Sequence, residues 1–352
     1  MAKSRKRIVV VATPTSPILS HLINALSHND SLQITVLTRE TSVNILRANG
    51  HSHDHVHDHD HAHGHDSDHS HNHQHGNADL THVQTDFSES ELQTHLSSTN
   101  TVICAFTGSD IHLTHSIIDA ASKAGAKLFI PSEYSLDTAN PRIRELLPPY
   151  QTRFEIQQKL KGCGMNWKAI YSGVVLEEGL KTDGILGIDA LWASVVVFPH
   201  RKETKIAVST YGDIAQSIVR VVSEGEDQSG HEVHMCTFQA SLQEIVDVVE
   251  KEIDRPLDKY EGVYEGAKKE AAERMRMGFF DGGVALLGRV AVWNNDVDAW
   301  SRWKEEGLEV EDDWVASIRK VVEMNQLGQF QRLNDDKSNL QTEEFDDLFS
   351  DI

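Results

Sequence analysis

An α/β fold is predicted, with a parallel sheet wound on both faces by helices and a smaller second lobe. Three observations predict it. Strand-like and helix-like segments alternate through the first half of the chain, the pattern of parallel strands with helical crossovers. The strands are near-continuous apolar runs such as VVVA (Val9–Ala12), which suits burial on both faces. Near its start, Val9–Leu22 reads VVVATPTSPILSHL, an apolar strand, a polar turn and an amphipathic run.

The elements follow in order. Ile8–Ala12 reads as a strand, and Ile18–Leu26 as a helix with Ile18, Leu19, Leu22, Ile23 and Leu26 on one side. Gln33–Thr38 is a second strand, Val43–Ala48 a short helix, Thr81–Thr85 a weak third strand and Thr101–Phe106 a fourth. Then come a helix over Asp110–Ala124, a strand at Lys127–Ile130, a helix over Pro148–Lys161 and a strand at Trp167–Tyr171. This is a Rossmann-like doubly wound arrangement, expected over residues 1–170. Residues 171–330 are expected to form a smaller α/β substrate lobe covering the sheet's carboxyl edge, where such folds bind ligands. Its strands are Ser194–Phe198 and Lys205–Ser209, and its helices Ile214–Val222, Leu242–Ile253, Arg274–Ala291 and Val310–Asn325. Residues 331–352, an acidic tail, are expected to be disordered, with a short protein-binding motif at FDDLF as a further reading.

With 352 residues, 39% of them apolar, the chain can build a large core. A formal charge of −21 argues against a nucleic-acid groove and an anionic membrane surface. No apolar run approaches the roughly 18–20 residues of a membrane span. Pro14 cuts the first apolar stretch too short for a signal peptide. Cys104, Cys163 and Cys236 have neither metal spacing nor a paired framework, so a cytoplasmic location is expected.

One segment breaks the pattern. From His51 to His75, twelve of 25 residues are histidine and five aspartate. Such a tract cannot bury a face and is expected as a loop insertion. His51, His53, His55, His57, His59, His61, His63 and His65 are candidate ligands for zinc or another transition metal, because neutral imidazole suits such ions. A low-complexity expansion without a role, and a loop that charges as pH falls through about 6.5, are the competing readings. No open catalytic metal geometry is indicated.

FIPSEYSLDT (Phe129–Thr138) resembles the FIPSEFG-DT signature of the NmrA-like and isoflavone-reductase-like proteins, atypical relatives of the short-chain dehydrogenases. SIIDAASKAGAKLFIPSEY resembles the family's helix and fifth strand, YQTRFEIQQKLK the helix bearing its catalytic lysine, and YSGVVLEEGLKTDGILGID the substrate-loop segment of fungal members. The resemblance runs from about Arg7 to about Asn325, skipping the histidine insertion. It implies a Rossmann lobe, NADPH, and reduction of small aromatic or polyketide-like metabolites, often in fungal secondary metabolism. Some members sense nucleotides without turnover.

Two departures from that family matter. Aligned with its first helix, Thr13, Ser16 and Leu19 stand at the three glycines of the phosphate cradle. Threonine at a positive φ would be strained, and Pro14 and Pro17 lack N–H donors. Yet Ser16–Pro17 is a good start for a helix, whose positive end attracts phosphate, and Thr13, Thr15 and Ser16 supply hydroxyls. Arg39, after strand two, matches the arginine that selects the 2′-phosphate of NADP; Arg47 is a second candidate. Phe106, Thr107 and Gly108 are expected along the cofactor's middle, and Ser132 and Glu133 near its nicotinamide end. The second departure is Arg153 at the position of the lysine. Arginine stays protonated, so it cannot shuttle a proton, but it can stabilise negative charge on an oxygen. Tyr150, three residues earlier on nearly the same helix face, is the candidate proton donor, against a packing role at the helix start.

These residues predict an NADPH-dependent reductase acting on a small molecule. A non-catalytic nucleotide sensor or scaffold, and a metal-responsive protein working through the histidine tract, are the alternatives.

Overall fold

The computed structural model describes residues 5–39, 79–106, 111–199, 204–224, 230–305 and 313–326. The expected helix Val43–Ala48, Arg47, the histidine tract 51–75, Thr107, Gly108 and the tail 331–352 lie outside these residues.

Six parallel strands form the main sheet: β1 (Lys6–Ala12), β2 (Leu32–Thr38), β3 (Asp79–Gln84), β4 (Thr101–Ala105), β5 (Leu128–Ile130) and β6 (Asn166–Trp167). Their order is β3-β2-β1-β4-β5-β6, so the direction of winding reverses between β1 and β4. In open α/β sheets that reversal creates the ligand crevice at the strands' carboxyl ends. The register places Val9 between Thr35 and Val102. Ile8 to Ala12 are all essentially buried, as their unbroken apolar run requires.

Helix α1 (Pro17–Ser27) begins where Pro17 supplies a ready φ. The expected stripe of Ile18, Leu19, Leu22, Ile23 and Leu26 is buried. Leu22 and Leu26 are fully enclosed, each worth about 1.5–3 kcal/mol of apolar burial. Helix α2 (Glu89–Leu96) was not anticipated; it buries only Leu92 and Leu96. Helix α3 (Ile111–Lys123) buries Ile117, Ile118 and Ala121. Helices α4 (Pro141–Leu146) and α5 (Pro148–Cys163) follow β5.

Two expected elements are corrected. Trp167–Tyr171 is not one strand, because only Asn166–Trp167 pairs with β5, and Ala169–Tyr171 leaves that sheet. Lys168 lies at the break, its N–H bonded to the Phe129 carbonyl at 3.0 Å. Arg274–Ala291 is not one helix but two, Tyr264–Arg276 and Phe280–Trp293. Gly278 ends the first at φ 91°, and the Phe279 N–H closes back on the Arg274 carbonyl at 2.8 Å. A left-handed glycine with that backward bond is a standard helix stop.

The chain divides into two compact units. The first comprises residues 1–132, 155–169 and 215–231 and holds the main sheet; the second comprises 133–154, 170–214 and 232–352. In the second, Asp258–Glu261, Ser194–Val197 and Ile188–Asp189 form one small sheet, and Phe238–Ser241, Lys205–Ser209 and Val174–Val175 another.

Candidate active site

In the first unit the β1–α1 turn closes without glycine. The Ser16 N–H bonds to the Thr13 carbonyl at 3.0 Å, and Thr13 is not among the positive-φ residues. The anticipated strain is therefore avoided by a different turn. Ser16 caps α1 in extended geometry, but its side chain makes no cap hydrogen bond. Its Oγ is buried and has no partner among the described residues. A buried hydroxyl left unpaired costs about 1–3 kcal/mol. At the positive end of an eleven-residue helix, an anion is the natural partner. Thr15 is exposed beside it and Thr13 half-buried.

Arg39 follows β2, as expected, and lines an open depression of about 620 Å³ with Gln84, Thr85, Asp86 and Glu91. Its guanidinium lies 5.6 Å from the Phe87 ring centre, and its carbonyl accepts from Gln84 Nε2. The two carboxylates there are engaged. Glu91 meets His95 at 3.3 Å, and Asp86 accepts the Ser88 N–H at 2.7 Å. That bond holds the Asp86 carboxyl below the usual range. Arg39 itself forms no ion pair among the described residues.

The sheet brings Phe106 and Ser132 together at the ends of β4 and β5. Ser132 Oγ donates to the Phe106 carbonyl at 3.2 Å, so this hydroxyl ties two strand ends. Lys159 is paired with Asp119 at 2.6 Å and Lys161 lies over Trp167 at 6.0 Å, so both are engaged elsewhere.

In the second unit, residues 133–138 form a buried loop. Glu133 is 1% exposed and accepts from Thr138 Oγ1 at 2.5 Å, so its carboxylate braces the loop from inside. Tyr150 and Arg153 are brought together at the start of α5: the guanidinium stands 4.7 Å from the Tyr150 ring centre and donates to the Glu133 carbonyl at 3.3 Å. The Tyr150 phenol accepts the Leu136 N–H at 3.3 Å and donates to Ser135 Oγ at 2.8 Å. Ser135 was not singled out from sequence, because its partner lies fifteen residues away.

Asp137, 2% exposed, was also missed. It accepts the Ala139 N–H at 2.7 Å, meets His234 Nε2 at 3.3 Å and receives Arg302 Nη1 at 3.2 Å. Arg302 Nη2 reaches Glu232 at 2.5 Å, and the Trp303 ring packs edge-on against His234. Elsewhere in the second unit, Glu177 accepts the Tyr211 N–H at 3.0 Å, and burial first, then the charges of Glu178 and Asp213, push its carboxyl up. Burial likewise raises the Cys104 thiol, which suits an inert core residue. Among the described residues no cluster of His, Cys, Asp and Glu could hold a metal ion, and no helix is long and apolar enough to cross a membrane.

Comparison with known proteins places these features. The profile of the NmrA-like family matches residues 4–301. Oxidoreductase aprR of Aspergillus flavus is 33% identical over 99 residues, 27% of this chain; the match spans a third of that relative's length. Isoflavone reductase superposes with a TM-score of 0.61 at 17% identity, covering 87% of this chain and 93% of that one. The leucoanthocyanidin reductase–NADPH complex of Vitis vinifera gives 0.61 at 14% identity, covering 90% and 99%. At such identities the structural likeness shows the fold alone.

Proposed function

The chain belongs to the NmrA-like family, and on that premise we propose that it is an NADPH-dependent oxidoreductase reducing a small aromatic or polyketide-type metabolite in fungal secondary metabolism. The observation that carries the reading is the buried Ser16 Oγ at the start of α1, which has no partner among the described residues. A bound dinucleotide's phosphate would satisfy it, with the hydroxyls of Thr13 and Thr15 beside it replacing the glycine cradle's backbone contacts. Arg39, unpaired among the described residues, would take the 2′-phosphate, while Asp86 and Glu91 keep their own partners. Bound NADPH supplies a hydride. The chain's own contribution is charge: Arg153, held by Glu133 and the Tyr150 face, stabilises negative charge on an acceptor oxygen.

Calorimetric titration of the full-length protein in chelator with NADPH and then NADH tests this. NADPH should bind at least about tenfold more tightly, a preference of about 1.4 kcal/mol. Binding of neither nucleotide would sink the reading. The competing reading, a nucleotide sensor without turnover, draws on the internal engagement of Ser132 and Glu133. Nucleotide binding without NADPH consumption across a substrate panel would select it. A metal-responsive role for His51–His75 is a separate matter, and unchanged cellular function after deleting the tract would remove it.

A further inference from the structure

We propose that Ser135 is the catalytic hydroxyl that gives its proton to the substrate's oxygen, with Tyr150 feeding it from behind, and that the substrate is therefore an aromatic ketone or quinone. The inference rests on the reductase reading for its source of electrons.

The direction of the hydrogen bonds carries it. Tyr150 is 6% exposed, and its phenol oxygen accepts the Leu136 N–H at 3.3 Å. Its own proton goes to Ser135 Oγ at 2.8 Å. Ser135 is thus an acceptor in this pair, and its own proton remains to be donated. Among the described residues Tyr150 is the one hydrogen-bond partner of that hydroxyl. Ser135 is half-buried while Tyr150 is buried, so the serine is the outer end of the relay. Its backbone is pinned as well: the Ser135 carbonyl accepts the Ser172 and Gly173 N–H groups at 3.0 and 3.1 Å. A donor held on both sides is what positioning a reacting oxygen requires. Arg153 lies over the phenol at 4.7 Å, and being always protonated it keeps a positive charge beside the relay.

A hydroxyl donor needs an oxygen to receive the proton, and this selects a carbonyl over an isolated C=C bond. In the reduction, a hydride with its electron pair passes from the reduced nicotinamide to the carbonyl carbon. The C=O π pair moves to oxygen, which takes the Ser135 proton. Ser135 takes the Tyr150 proton, and water returns one to Tyr150. A ketone is thereby reduced to the alcohol, and the nicotinamide is oxidised. A quinone gives first the hydroxydienone, which loses the proton from that carbon to water and takes one on its second oxygen to become the hydroquinone.

The test uses full-length protein and 4-nitrophenol, an aromatic oxygen whose absorbance reports its own proton. A donor at Ser135 should shift bound probe toward the phenolate by about tenfold in the ionisation ratio, the effect of one hydrogen bond to a charged acceptor. Ser135→Ala should abolish the shift with an unchanged melting temperature, Ser135→Thr should restore it, and Tyr150→Phe should weaken it. A Ser135→Ala protein that shifts the probe as the wild type does would overturn the proposal, as would a wild type that shows no shift. NADPH titrations run in parallel keep the two claims apart. A protein that shifts the probe yet binds no NADPH retains Ser135 as the oxygen's donor and loses the reductase reading instead.

Discussion

Ser16→Ala should change two quantities in opposite directions. The Ser16 hydroxyl is buried at 5% exposure and unpaired among the described residues. Removing it relieves a desolvation cost of about 1–3 kcal/mol. Replacing an N-cap serine by alanine ordinarily costs about 1 kcal/mol, but that loss comes from the side-chain cap bond, which is not made here. The net effect is a gain of about 1 kcal/mol or more, roughly 1–2 °C in melting temperature for a chain of this length. Toward NADPH the sign reverses. The lost bond is one to a charged phosphate, worth about 1.5–3 kcal/mol, so the dissociation constant should rise by about tenfold to a hundredfold. Melting curves with and without nucleotide, together with calorimetry, measure both. A variant that is less stable without nucleotide would show that the hydroxyl caps the helix. An unchanged NADPH affinity would show that no phosphate reaches it.

Other substitutions probe separate links. Arg39→Ala should weaken NADPH by about tenfold or more and leave NADH unchanged, since only the 2′-phosphate meets the guanidinium; equal losses for both in calorimetry would contradict this. Arg153→Ala should lower kcat by at least about a hundredfold with nearly intact NADPH affinity, and an unchanged rate would remove its electrostatic role. Glu177→Gln should stabilise the protein at pH 7 and give no gain at pH 4. The folded state holds that proton above the ordinary 4.5, so stability falls as pH rises from there through the raised value. Melting curves across pH would show the opposite trend if Tyr211 needs the charged carboxylate. Gly278→Ala forces a side chain to φ 91° and should cost about 1–2 kcal/mol in denaturant unfolding.

The sheet was legible because its central strands carry unbroken apolar runs buried on both faces, Ile8–Ala12 above all. Strands with little to bury were not. Asp258–Glu261 is exposed at all four positions, so no apolar signal marks it. The run FFDGGVALLGRVAVW hid the stop at Gly278, because apolar periodicity continues across the turn that glycine makes possible. Within the site, Arg39 was singled out by its place after the second strand, Arg153 by the resemblance to the family's lysine-bearing helix, and Tyr150 by its helical spacing from Arg153. Ser135 was not, although the signature it resembles carries glycine at that place. Its meaning depends on a phenol from another element. His234 and Arg302 depend on contacts across 97 and 165 residues, for which a local pattern holds no trace.

The Asp137 contacts bear on how the protein is made. The loop that displays Ser135 is held by His234 and Arg302, yet it leaves the ribosome long before either. At about 5–20 residues per second, 165 residues take roughly 8–33 s. During that interval the main sheet can form, since its last strand is complete at Trp167, while Asp137 waits for the arginine and histidine that enclose it. A chain cut short before Trp300 would carry the whole first unit with its main sheet, but would lack the arginine that holds Asp137. Ribosome-stalled chains of graded length should therefore gain dinucleotide affinity earlier in synthesis than they gain the fixed Tyr150–Ser135 pair.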